Sequence, residues 1–115
     1  MRPLHLRGRK VNEAVLRKGR VWKGKMMMIR WVPGSPRGQT EQGLYVGTLA
    51  SAKLDKSAVR RNRMRRRCRE ALRIALQHRS TIPTAQLLLC PRAASLYAPF
   101  HELEHDVQAF LSVLR

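Results

Sequence analysis

Two stretches of this sequence carry residue types at spacings suited to chemistry. The first is His-Glu-Leu-Glu-His, residues 101–105, with two imidazoles one helical turn apart and a glutamate beside the first. That pattern can bind zinc and supply a general base for hydrolysis. A catalytic zinc needs a third protein ligand. Ten residues follow His105, and Asp106 is the one candidate among them. Gln108 and Leu111 stand where a Gly-x-x-His continuation would fall. The two histidines therefore read as solvated residues on a helix flank, and no metal site is expected on the chain.

The second stretch is KSAVRRNRMRRRCREALR, residues 56–73, with eight arginines among the fourteen positions from Arg60 to Arg73. At about 100° per residue, Met64, Cys68, Ala71, Leu72, Ala75 and Leu76 share one apolar face. Asn62, Arg65, Arg66, Arg69 and Arg73 flank that face, and Arg63 and Glu70 lie further round. One side of the helix thus holds it on a core, and the other presents guanidiniums. Like charges at i,i+4, as in Arg61, Arg65 and Arg69, destabilise an isolated helix. Glu70 is the only acid in this run that relieves them. A merely solvated face would mix its signs. The planar fork of arginine suits bidentate phosphate contact and base stacking. The remaining reactive residues, Cys68 and Cys90, are too few for a disulfide framework or a four-ligand zinc cage. They read as buried free thiols.

The whole chain repeats this bias. Lys and Arg total 24 against 7 acids, giving +17 over 115 residues. So large a self-repulsion points to a polyanionic partner, nucleic acid above all. A membrane-surface helix would carry Trp, Phe and Leu opposite its basic face, whereas this one carries Met, Cys, Ala and Leu. No stretch approaches the roughly 20 apolar residues of a membrane span. The opening MRPLHLRGRK has no apolar run of signal-peptide length. The expectation is a cytoplasmic protein with no membrane partner.

The elements that must position these residues follow from periodicity and breakers. Residues 11–18 fit a short helix closed by Gly19. Residues 21–32 alternate as one strand, with Met27, Ile29 and Trp31 on one face and Met28 and Arg30 on the other. A Pro- and Gly-rich loop over 33–43 leads to a strand at 44–51, so that 21–51 reads as a hairpin. The basic helix spans about 57–78, a buried strand occupies 85–90, and residues 98–115 form a last helix. Its Phe100, Leu103, Val107, Phe110, Leu111 and Leu114 make one stripe. The apolar fraction of 43% suits one modest core. The reading is a single α+β domain over 1–115, an α/β sandwich with at least one sheet face free.

The run AVRRNRMRRRCRE, residues 58–70, closely resembles the signature of the protein subunit of bacterial ribonuclease P. Ala58-Val59, Arg61-Asn62-Arg63, Arg65-Arg66 and Arg69-Glu70 fall at the spacing of that signature. GLYVGTLASAKL is similar to the strand that leads into the family's Ser-Lys segment, and IPTAQLLLCPR to its third strand. The resemblance implies an αβββαβα order with a left-handed βαβ crossover. It implies that the partner RNA subunit is the catalyst, hydrolysing precursor tRNA at its 5′ end with Mg2+. The protein would then hold no catalytic residue and no cofactor of its own. Arg61, Asn62, Arg63, Arg65, Arg66 and Arg69 would face the catalytic RNA. Leu16, Met28, Arg30, Ser51 and Lys53 would match the cleft that holds the single-stranded 5′ leader. The chain departs from the family where a first-helix Phe usually lines that cleft: Asn12, or Val11, stands there. The segment SAKLDKSAV also lacks the usual Gly. The charge alone would also permit another small basic nucleic-acid binder, ribosomal or DNA-coating, but that reading leaves the Arg-Asn-Arg spacing unexplained.

Overall fold

A computed structural model describes residues 2–114; Met1 and Arg115 lie outside the described residues. Runs of apolar and β-branched residues make five strands: β1 (Leu4–His5), β2 (Arg20–Lys23), β3 (Met27–Pro33), β4 (Leu44–Thr48) and β5 (Ala85–Pro91). Three helices, α1 (Arg9–Lys18), α2 (Ala58–Gln77) and α3 (Phe100–Val113), are joined by a short 3-10 turn at Ala93–Leu96 before α3. One mixed sheet runs in the order β1-β4-β5-β3-β2. β5 lies parallel to β4 and antiparallel to β3. β4 and β5 are thus parallel neighbours joined through α2.

Three expectations from the sequence are corrected. First, residues 21–32 are two strands, not one. The chain turns at Gly24, whose N–H donates to Met27 O at 2.9 Å. The buried carboxylate of Asp106 accepts from the amides of Lys25, Met26 and Met27 at 3.3, 2.7 and 3.3 Å. A Cβ on Gly24 would lie 2.3 Å from Asp106 Oδ2, so only glycine fits there. With this split, the order from α1 onward is the αβββαβα implied by the resemblance. Second, β3 and β4 are not a hairpin, because β5 inserts between them. Its Leu87, Leu88 and Leu89 are all buried, and a strand apolar on both faces belongs at the centre of a sheet. Third, the sheet has a helix on each face. Met27, Ile29, Leu44, Val46, Leu87 and Leu89 pack under α2 and α3. On the opposite face Leu6, Val15, Tyr45 and Leu88 form a second cluster beneath α1.

The last helix buries Leu103, Val107, Phe110 and Leu111, and its C-cap Leu114 is buried as well. Phe110 meets Trp22 and Trp31 edge-on, with centroids at 5.8 and 6.2 Å. Each such pair contributes about 0.5–1.5 kcal/mol beyond its area, which ties α3 to β2 and β3. β1 was not anticipated: two residues, Leu4 and His5, pair parallel with Tyr45 and Val46.

Candidate nucleic-acid interface

The basic helix starts from a capped N-terminus. Ser57 is its N-cap, and its hydroxyl accepts from Arg60 N at 3.3 Å. Asp55 sits just before it and accepts from Ser57 N at 2.8 Å and from Arg60 Nε at 2.9 Å. The Ser57 amide, then the Arg60 guanidinium, hold the Asp55 carboxyl below its ordinary range. A carboxylate here also complements the positive end of the helix dipole. Met64, Cys68, Ala71, Leu72, Ala75 and Leu76 are buried, the same face that the helical period selects.

With that face anchored, the arginines sort into two groups by what holds them. Arg67 is structural: Nη1 donates to Ser95 O and Nη2 to Ala98 O, both at 2.6 Å, and the guanidinium lies 6.0 Å from the Phe100 ring centroid. Arg60 pairs with Asp55, and Arg73 with Glu70, whose carboxyl is held low by that partner. Arg61 donates to the carbonyls of Asp55 and Lys56 at 2.7 and 3.1 Å. Arg65 donates to Asn62 Oδ1 at 2.6 Å and to Ala50 O at 2.9 Å. Arg63, Arg66 and Arg69 form the second group. They are exposed and make no hydrogen bond or ion pair with any described residue. Spaced by three, they keep to one side of the helix.

Of the six residues expected to face RNA, the structure therefore leaves three guanidiniums free. It ties Arg61, Asn62 and Arg65 into the loop that leads into α2. Beside the free row lies a groove of about 720 Å³ between α2 and β1, lined by Leu4, Val46, Leu72 and Phe100 and by five arginines.

A second groove of about 290 Å³ runs between α1 and the sheet, lined in part by Asn12, Leu16, Thr48, Leu49 and Leu88. Of the expected cleft residues, Leu16 lines it. Arg30 reaches α1 instead, donating from Nη1 to Leu16 O at 3.1 Å. Met28 is half-buried on β3, paired in register with Cys90. Ser51 and Lys53 are exposed in the turn after β4 and do not line the groove. Thr48 and Leu49 take that place, because β4 ends earlier than its composition suggests. Leu49 and Leu16 are both exposed for residues so apolar, at 41% and 37%. Leu88 was hidden in the sequence by lying in a uniformly apolar run. Asn12, one of the two candidates with Val11 for the place of the missing aromatic, donates to Leu6 O and Gly8 O at 3.0 and 2.8 Å. A Cβ on Gly47 would lie 2.5 Å from Asn12 Oδ1, so the small residue on β4 makes room for α1.

The His-Glu-Leu-Glu-His stretch has a different geometry from a metal centre. His101 and His105 are exposed, while Asp106 is turned inward onto the β2–β3 turn. Among the described residues no three His, Cys, Asp or Glu side chains gather as ligands. Burial pushes the Cys68 thiol up to about 12 and raises Cys90 as well. Neither is poised as a nucleophile, which requires a lowered pKa.

A mixed sheet with α1 on one face, α2 and α3 on the other, and a row of unheld guanidiniums along α2 defines a class of small basic α+β proteins. The chain belongs to the Ribonuclease P family, whose model matches residues 1–115. It is similar to the ribonuclease P protein component of Thermus thermophilus, at 37% identity over 92 residues, covering 80% of this chain and 48% of that one. The protein component from Parasynechococcus marenigrum is 29% identical over 116 residues, covering 95% and 91%. The chain thus spans about half the length of the Thermus relatives it matches and nearly all of the other. The RNase P protein from Thermotoga maritima superposes with a TM-score of 0.74 at 19% identity, over 96% of this chain and 97% of that one. That likeness shows the fold.

Proposed function

We propose that this chain is the protein subunit of ribonuclease P and acts in the cytoplasm. It binds the catalytic RNA through α2, and it assists removal of the 5′ leader from precursor tRNA. The observation that carries this reading is the row Arg63, Arg66 and Arg69, exposed and unheld within a run that has the family's spacing. Unheld guanidiniums in a row repel one another until phosphates arrive, so their net contribution appears on assembly. Arg61, Asn62 and Arg65 fix the loop from Ala50 to Ser57 against the helix and so orient the row.

The groove between α1 and the sheet is the proposed seat of the single-stranded leader. Leu16 and Leu49, exposed above the buried Leu88, offer apolar contact for bases where relatives would stack an aromatic. Arg30 holds the carbonyl at Leu16 and thereby the C-terminal turn of α1 over that groove. The polypeptide supplies no group to the cleavage. The RNA carries that chemistry, with Mg2+ stabilising its phosphoryl charges. What the protein contributes is charge neutralisation and positioning, so that the two RNAs approach at a lower Mg2+ concentration.

The test is reconstitution. The protein, the cognate catalytic RNA and a precursor tRNA are mixed at low Mg2+, and the product 5′ ends are mapped. Accurate processing that needs both RNA and protein supports the reading. Processing unaffected by the protein at any Mg2+ concentration would sink it.

A further inference from the structure

The groove between β1 and α2 has no role in the reading above, yet it is the larger of the two. Its bottom is apolar: Val46 and Leu72 are buried, and Leu4 and Phe100 are half-buried. Its rim is basic, with Arg63, Arg66 and Arg69 held by no described residue. We infer that this groove takes one unstacked nucleobase of an RNA strand, with the flanking phosphates held by Arg63, Arg66 and Arg69. The inference rests on the proposal that α2 faces RNA and adds what fills the space beside the helix.

Three observations support it. The volume, about 720 Å³, lies within the range of roughly 300–1,000 Å³ typical of small-ligand sites. The apolar bottom has no use for a duplex, which would meet the arginine rim with phosphate and sugar and leave the bottom unfilled. RNA recognition of sequence is instead made through splayed single-stranded bases, stacked on aromatic and guanidinium planes. Phe100 supplies such an aromatic, already covered on one side by Arg67. Finally, the charge is complementary. Five arginines and one acid, Glu70, line the groove, and Glu70 is taken by Arg73. A phosphodiester on either side of an inserted base meets the free three. His5, at the wall, can hydrogen-bond the base once it is inside.

The experiment is a nuclear magnetic resonance titration of the full chain, reading the methyls of Leu4, Val46 and Leu72, the Phe100 ring, and the Nε–H signals of the three arginines. The probes are a single-stranded adenosine hexanucleotide, a ribose-phosphate hexamer of equal charge without bases, and a hexaglutamate peptide. The expected result is that only the base-bearing strand shifts the methyls and the ring. It should bind about tenfold more tightly than the abasic strand, from stacking of one base. The abasic strand should move the arginine signals alone. Equal methyl shifts and affinity for the two strands, or larger methyl shifts with the peptide, would overturn the inference. If the arginines respond to both strands and the methyls to neither, the groove inference fails while the RNA-facing helix stands. If the arginines respond to neither strand, both fail.

Discussion

Changing Arg63, Arg66 and Arg69 together to Gln removes the three guanidiniums on α2 that no described protein group holds. The expected effect on RNA binding follows from counterion release. Each phosphate neutralised contributes about 0.7–0.9 to the slope of log affinity against log salt. Losing three should flatten the slope by about 2–3 units. Between 50 and 200 mM salt, a fourfold change, the wild type should then lose roughly 30-fold more affinity than the variant. Stability should move the other way. The three are exposed and repel one another at i,i+3, and each like-charge contact removed relieves about 0.2–0.5 kcal/mol. Arg67→Gln is the internal control. It breaks two carbonyl hydrogen bonds and the contact with Phe100, and should cost about 2 kcal/mol of stability, within the range for charged hydrogen bonds. The assay is filter binding to the cognate catalytic RNA over a salt series, with urea unfolding of each variant beside it. An unchanged slope in the triple variant, or a stability loss as large as that of Arg67→Gln, would refute the assignment of these arginines to the RNA.

Three further outcomes are expected. Asp106→Ala leaves the amides of Lys25, Met26 and Met27 without their acceptor; it should lower unfolding free energy by about 3–5 kcal/mol, and a loss under 1 kcal/mol in urea unfolding would contradict the role given to this carboxylate. The Cys68 thiol, raised by burial from 9.0 to about 12, keeps its proton in the fold, so its contribution is intact below pH 9 and is lost as pH climbs toward 12, by about 1.4 kcal/mol per unit; Cys68→Ala should lack that slope between pH 9 and 10.5, and parallel curves for the two proteins would disprove it. Arg30→Ala releases the carbonyl of Leu16; the assembled complex should then bind leader-bearing tRNA about tenfold more weakly, the worth of roughly one charged hydrogen bond, and leaderless tRNA unchanged, whereas equal weakening of both would remove the leader from this groove.

Much of α2 was legible in the sequence because its information is local. The helical period alone separates Met64, Cys68, Ala71, Leu72, Ala75 and Leu76 from the arginines, and the structure buries those six. Ser57 marks the helix start in the same local way. The sheet was less legible because its pairing is not local. Nothing within 21–32 announces the turn at Gly24, since the carboxylate that holds it comes from Asp106, some 80 residues on. Nor does the loop over 33–43 say that β5 will part β3 from β4. The same distance effect hid which arginines are free. Arg67 and Arg66 are adjacent and alike in sequence, yet the carbonyls of Ser95 and Ala98 take one and leave the other. In the cleft, Ser51 and Lys53 rest on the resemblance to the family's Ser-Lys segment, and β4 ends at Thr48 and leaves both in the turn beyond the groove. Leu16, expected from the family resemblance on the short helix that closes at Gly19, lines the groove.

The central claim is that the free edge of α2 lies against the catalytic RNA. A hydroxyl-radical-generating iron chelate can be attached at Arg66→Cys, and separately at Ser112→Cys on the exposed side of α3. Cys90→Ala removes the half-buried thiol from both, and Cys68 stays inert in the core. Each tethered protein is assembled with the catalytic RNA, and strand scission is mapped. Cuts clustered in the RNA from position 66, with none from position 112, are the result this account predicts. Scission from position 112 with none from position 66 would contradict it.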